Sequence, residues 1–284
     1  MKKTRLVLIV LTFICLHLSA AQPNESSFVR VSGGSFLMGS VSEKSFDNES
    51  PVHVVDITYD FLISKYETTF AQFDEFCEQT VREKSSDNGW GRQNRPVIFV
   101  SWWDATEYCN WLSSKAGFPP AYNSSGYLID GKGEVTSSPS KAVGYRLPTE
   151  AEWEYVARGA DLSKTTLYSG HDEPDIVAWY NINSDWKTSE VGAKQPNEIG
   201  VFDMSGNVWE WCHDWYASYP YLEQTDPCVF SEGNYRVIRG GSWHDFEKYL
   251  RVSARSGYTP TGAAKDVGFR VCRTLSRHTL EPDY

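Results

Sequence analysis

Apolar and polar residues alternate from Phe28 to Met38 around Gly33-Gly34, a period of two that predicts a strand, a turn and a strand. Glu43 to Ser50 is polar and predicts a loop, and the β-branched run from Val52 to Ile63 predicts further strand. The period then changes to that of a helix. Thr69 and Gln72 form a capping box ahead of Phe70, Phe73, Phe76 and Cys77 on one face. Ser101 opens a second helix carrying Ala105, Tyr108, Cys109 and Leu112, which Gly117 ends. Thr149 and Glu152 open a third, with Trp153, Val156 and Ala157 inward. The Gly/Ser-rich stretch from Asn123 to Gly144 predicts an exposed hairpin or loop, and only short strands and turns are expected after Gly159. The fold class is therefore α+β, rich in irregular structure.

The N-terminus follows another pattern. Lys2, Lys3 and Arg5 precede the apolar run Leu6 to Leu16, and small residues end at Ala21, the layout of a secretory signal peptide over residues 1–21. Thr12-Phe13-Ile14 does not place a small residue beside Cys15, so a lipid anchor is not the expectation. Without the leader, 24 basic and 37 acidic residues leave a net charge of -13. An acidic chain lacks the counterion-releasing basic patch that nucleic acid requires. The mean hydropathy of -0.45 excludes a polytopic membrane protein, and no transmembrane segment is expected in the mature chain. The expected location is secreted or periplasmic. Cys77, Cys109, Cys212, Cys228 and Cys272 form no CxxC pair, and in an oxidising compartment two disulfides and one free thiol are expected. Cys212 and Cys228 flank an aromatic stretch and could close a loop, while Cys77 is expected in a helix core.

Several strings occur in order: Gly33-Gly34-Ser35-Phe36-Leu37-Met38-Gly39, Arg95-Pro96-Val97, Tyr145-Arg146-Leu147-Pro148-Thr149-Glu150-Ala151-Glu152-Trp153, Asp203-Met204-Ser205-Gly206-Asn207-Val208-Trp209-Glu210-Trp211, Arg239-Gly240-Gly241-Ser242-Trp243 and Gly268-Phe269-Arg270-Val271. In this order the chain resembles the formylglycine-generating enzyme (sulfatase-modifying factor) family over residues 28–274, leaving 275–284 as a C-terminal tail. The resemblance implies one domain with a variant C-type lectin fold. The family's oxidases hold Cu(I) with two cysteines just after the Gly-Gly-Ser-aromatic string, and soft thiolates suit that soft ion. Here the segment reads Trp243-His244-Asp245-Phe246-Glu247-Lys248-Tyr249-Leu250-Arg251, with Asp245 where the first cysteine would stand. Copper-dependent formylglycine formation is therefore not expected.

His244, Asp245 and Glu247 offer groups for acid–base work or a weak metal site, and Trp243, Arg251 and Arg255 complete the candidate cleft with Tyr249 and Tyr258. The plainer expectation is that His244 and Asp245 are surface residues bonded to Arg251 or Arg255. Iron of the sulfoxide-synthase kind is not expected, since His53, His171, His213 and His278 show no HxxxH spacing, and neither is haem. The remaining aromatics, Trp90 and Trp102 among them, are expected in the core.

The resemblance also implies structural Ca²⁺: Asp203, Gly206, Val208 and Glu210 match one calcium position, and Asn181 with Ile182 falls near a weaker one. It further implies a bridge from Cys109 to the last strand, although Cys272 sits one residue late and so faces the other side. Two functions remain open. One is an exported accessory or maturation factor, like the pyoverdine-maturation relative, acting without copper on a peptide or peptide-derived metabolite; if an enzyme, it is a copper-independent oxidoreductase or maturation enzyme. The other is a non-catalytic lectin-like module that binds a polypeptide or glycan.

Overall fold

The computed structural model describes residues 25–275. The expected leader, its Cys15 and the tail beyond Leu275 lie outside the described residues. Among the described residues, ten short strands fall into three sheets. The first orders β1 (Phe28–Val31), β4 (Phe61–Ser64) and β10 (Cys272–Thr274) around a central β4, all antiparallel. The second joins β2 (Gly34–Met38) and β3 (His53–Ile57) with β6 (Gln224–Thr225). The third runs β8 (Arg255–Tyr258), β7 (Arg236–Arg239), β5 (Trp209–Trp215), β9 (Val267–Gly268). The strand, turn and strand about Gly33-Gly34 are present, but β1 and β2 enter different sheets. The Val52 to Ile63 run likewise breaks into β3 and β4, because Asp226 caps Thr58 and Asp60 accepts from the Gly33 amide.

The helices α1 (Phe70–Thr80), α2 (Trp102–Lys115) and α3 (Glu150–Ala157) begin at the three expected caps, and each capping box is closed in both directions. A four-residue helix, α4 (Pro174–Val177), interrupts the irregular region after Gly159. Helices α1 and α2 pack their Phe and Trp residues with Trp211 and Phe269 in one core, while α3 buries Trp153 and Val156 against Phe61, Ile63 and Val237 in another. The 123–144 stretch forms small turns pinned by buried Leu128 and Ile129.

Between these cores the chain relies on buried ion pairs more than on long elements. Arg146 pairs with Glu152, Arg239 with Glu154, Arg251 with Glu49, Arg255 with Glu150 and Arg270 with Glu210, all at most 5% exposed along the side chain. The expected polar loop 43–50 is present, with one short 3-10 turn at Asp47–Glu49, and it carries Glu49 into the interior, where Arg251 reaches it with two nitrogens. The disulfide expectation is corrected. All five described cysteines are free, four of them buried, and desolvation pushes every one of these thiols up. Cys77 packs in the α1 core, and Cys272 accepts from the Arg146 guanidinium at 3.0 Å.

Candidate functional site

Strand β7 ends at Gly240-Gly241, and the chain passes through a gap that only glycine fits. Gly241 has φ +73, and a Cβ there would lie 2.7 Å from Leu250 and 2.8 Å from the Tyr249 carbonyl oxygen. The passage delivers Ser242 to Asp245 beside the 203–209 turn, which is fastened by Gly206 N to the Gly240 carbonyl and by Trp243 N to the Asn207 carbonyl.

The side chains then converge. Asp245 Oδ2 accepts from Ser242 Oγ at 2.5 Å and from the Trp209 indole N–H at 2.9 Å. Ser242 Oγ also lies 2.9 Å from His244 Nδ1, and Asp266 Oδ2 stands 3.9 Å from that nitrogen. Burial pushes the Asp266 carboxyl up, His244 draws it down and Asp245 raises it again. Trp243 forms a wall, its ring 4.7 Å from His244, with Trp90 at 5.1 Å and Trp186 at 6.4 Å edge-on. This arrangement holds a carboxylate rigidly and leaves an imidazole half-exposed, which suits hydrogen bonding to a ligand or proton transfer.

Of the sequence candidates, His244 and Asp245 meet here. Trp243 is 2% exposed and supports the site from below instead of facing an open cleft. Trp90, expected in the core, is only half-buried against it. Glu247 does not join the cluster and instead lines an adjoining exposed groove with Asn181, Ile182, Phe246 and Lys248. Arg251 and Arg255 belong to buried ion pairs, so neither lines the cleft nor bonds His244 or Asp245. Tyr258 packs on Trp211, and Tyr249 stacks near Phe46 and Trp209. Ser242, Trp209 and Asp266 complete the cluster. Ser242 was signalled by its place in Gly-Gly-Ser-Trp, but Asp266 arrives only through the β5–β9 pairing, where its carbonyl accepts from Trp209 N at 2.8 Å.

The implied metals meet different fits. Cu(I) does not fit: the donor at its position is a hydrogen-bonded carboxylate, and the described cysteines sit at other places in the fold. Among the described residues no three His, Cys, Asp or Glu side chains are arranged to hold a metal alone. Calcium, which takes backbone and amide oxygens, is better served. Glu67, Asp203 and Glu210 are buried around one guanidinium, Arg270, which takes both Glu210 oxygens. Burial raises the Asp203 carboxyl to about 6, and Glu67 is pushed up by burial and then by Asp203 and Glu210. Three carboxyl groups share one guanidinium there and supply hard oxygen donors, and the upward shifts of Asp203 and Glu67 mark a place where a further cation would favour their ionised forms. Gly206 makes the turn possible, since a Cβ would meet the Trp179 carbonyl oxygen at 2.3 Å. At the weaker position, Asn181 Oδ1 is a buried acceptor without a hydrogen-bond partner. Both sets offer oxygen donors of the hard kind a dication takes, although the two Glu210 oxygens are already held by Arg270 and the Trp153 indole.

Comparison with known proteins completes the picture. Residues 16–275 match the sulfatase-modifying factor enzyme 1-like domain. The chain is 34% identical to the chaperone protein LppX of Paenibacillus barcinonensis, over 87% of this chain and 89% of that protein. It is 29% identical to the formylglycine-generating enzyme of Streptomyces coelicolor, over 88% and 90%. Among solved structures, variable protein 1 of Treponema denticola superposes with a TM-score of 0.73 at 29% identity, covering 87% of this chain and 95% of that one. PvdO of Pseudomonas aeruginosa superposes with a TM-score of 0.69 at 27% identity, covering 87% and 94%.

Proposed function

The chain belongs to the sulfatase-modifying factor enzyme 1-like family, and from that premise we propose that it is a copper-free accessory or maturation factor for a peptide or peptide-derived metabolite. Its α+β fold is the formylglycine-generating-enzyme-like variant of the C-type lectin fold. The observation that carries the reading is Asp245, a carboxylate clamped by Ser242 and Trp209 at the position where the family's oxidases place a sulfur ligand. Such a residue can orient a donor group on a ligand but cannot bind the monovalent metal that oxygen activation needs. The similarity to a protein named as a chaperone supports an accessory role. The N-terminal pattern of Lys2, Lys3, Arg5 and the apolar run supports export and a secreted or periplasmic site of action. No described helix is long and apolar enough to cross a membrane. Calcium belongs to the proposal as a structural ion, held by Asp203, Glu210 and the carbonyls of Gly206 and Val208, with Asn181 and Ile182 for a second.

One observation favours a purely binding role for a polypeptide. Beside the cluster lies the groove of Asn181, Ile182, Phe246, Glu247 and Lys248, where Ile182 is 70% and Phe246 64% exposed. The Asn181 N–H donates to the Asp245 carbonyl at 3.2 Å and so joins groove to cluster.

The test is a synthetic hexapeptide library titrated against the mature chain, read by tryptophan fluorescence, with mass spectrometry of the recovered peptides. Asp245→Ala should weaken the best binder at least about tenfold, the scale of a lost charge-assisted hydrogen bond, in a variant that still folds cooperatively although Ser242 and Trp209 lose their acceptor. A changed peptide mass makes the protein a maturation enzyme, and unchanged peptide makes it a binding module. Equal affinity in parent and variant would sink the assignment of this cluster as the ligand site.

A further inference from the structure

Ser242, His244 and Asp245 stand in a line whose hydrogens can be placed. Ser242 Oγ lies 2.5 Å from Asp245 Oδ2 and 2.9 Å from His244 Nδ1. A hydroxyl carries a single hydrogen. Two oxygens that close need a proton between them, and an ionised carboxylate has none to give. The Ser242 hydrogen therefore serves Asp245, and the contact with His244 must be an Nδ1–H donating to the Ser242 oxygen. In a neutral imidazole that leaves Nε2, on the opposite side of the ring, with a bare lone pair. Ser242 is 0% exposed, whereas the His244 side chain is 36% exposed, so a ligand meets the imidazole and not the hydroxyl.

The geometry points to a proton relay in which His244 Nε2 is the base for an N–H, O–H or S–H group of a bound ligand and Asp245 is the final proton acceptor. The ligand's bond to hydrogen breaks and an N–H bond forms at Nε2. The Nδ1–H bond breaks as its proton passes to Ser242 Oγ, and the original Ser242 hydrogen passes to Asp245 Oδ2. The ligand leaves the step as a conjugate base, His244 is neutral again with its proton on Nε2, and Asp245 is a carboxylic acid. No oxidant or reductant is consumed. Ser242 is a positioning residue, which fixes the tautomer and bridges two groups that do not touch. Trp209 holds the far end in place at 2.9 Å, and Asp266 stands beside the imidazole where positive charge develops in transit. That the ligand is a peptide or peptide-derived molecule rests on the function proposed above; the relay itself does not.

The relay is tested without any ligand by ¹⁵N NMR of the full mature chain labelled at histidine, recorded where the imidazole is neutral. In the parent the Nδ1–H form of His244 should exceed the Nε2–H form by about tenfold, the ratio that one net hydrogen bond sustains. Ser242→Ala and Asp245→Ala should each lower that ratio at least about fivefold, the first by removing the acceptor and the second by freeing the hydroxyl to turn toward Nδ1. A parent spectrum dominated by Nε2–H overturns the relay, and this reading needs no variant to fold. Ratios unchanged in two folded variants overturn it as well. Failure of every peptide to bind would strike the proposed function and leave the tautomer result standing.

Discussion

Asp214 shows how far its surroundings can move a single ionisable group. It is 3% exposed, and desolvation lifts its carboxyl to about 7 even though the amides of Val229 and Glu150 both donate to it. A carboxyl raised in the folded state stabilises fully below its unfolded pKa, near 4, and that stability is lost as pH rises toward 7. In Asp214→Asn this loss disappears. Urea unfolding from pH 4 to pH 8 should show the variant gaining on the parent by on the order of 3 to 4 kcal/mol, with the whole gain below about pH 7.5. A constant difference across that range would refute the raised carboxyl. Residue by residue, the sequence disclosed His244 and Asp245 because they follow a recognisable string. It hid the roles of Arg251 and Arg255, whose partners Glu49 and Glu150 lie far away in the chain, and of Asp266, which a strand pairing supplies.

The elements were most legible where local chemistry decides them. Thr69, Ser101 and Thr149 each accept from the amide three residues on, and each partner side chain answers back. The two threonine caps differ in setting. Thr69 caps an accessible helix end, whereas Thr149 is 1% exposed and its partner Glu152 also carries Arg146. Thr69→Ala should cost about 1 kcal/mol and Thr149→Ala about 2 kcal/mol, measured by chemical denaturation. Equal costs would mean that the buried network contributes nothing to the cap. Strand pairing was less legible, since alternation marks a strand but not its neighbour. Nothing between Phe28 and Met38 announces that β1 pairs with β4 and β2 with β3.

At the scale of the molecule, long irregular segments are secured by polar contacts, and calcium would add to them where Glu67, Asp203 and Glu210 crowd around Arg270. Ion binding to the folded state alone raises stability with concentration. Added calcium should therefore raise the melting temperature of the protein by several degrees, and Asp203→Asn should abolish that response while the variant still folds. Glu210→Ala is the harsher change: it strands Arg270 in the interior and should cost about 3 to 5 kcal/mol with or without the ion. A parent whose melting temperature ignores calcium, before and after a chelator, would remove the ion from the account.

The far-apart partners of the buried arginines also set an order of events. Glu49 waits for Arg251, the carbonyls of Ser64 and Lys65 wait for Arg270, and the central strand β4 waits for β10. A nascent chain emerging from the ribosome has almost none of these closures available until its last few dozen residues are made. A chain ending before Arg251 lacks all three of these closures, so the first sheet and the burial of Glu49 are completed only by the segment from Arg251 to Thr274.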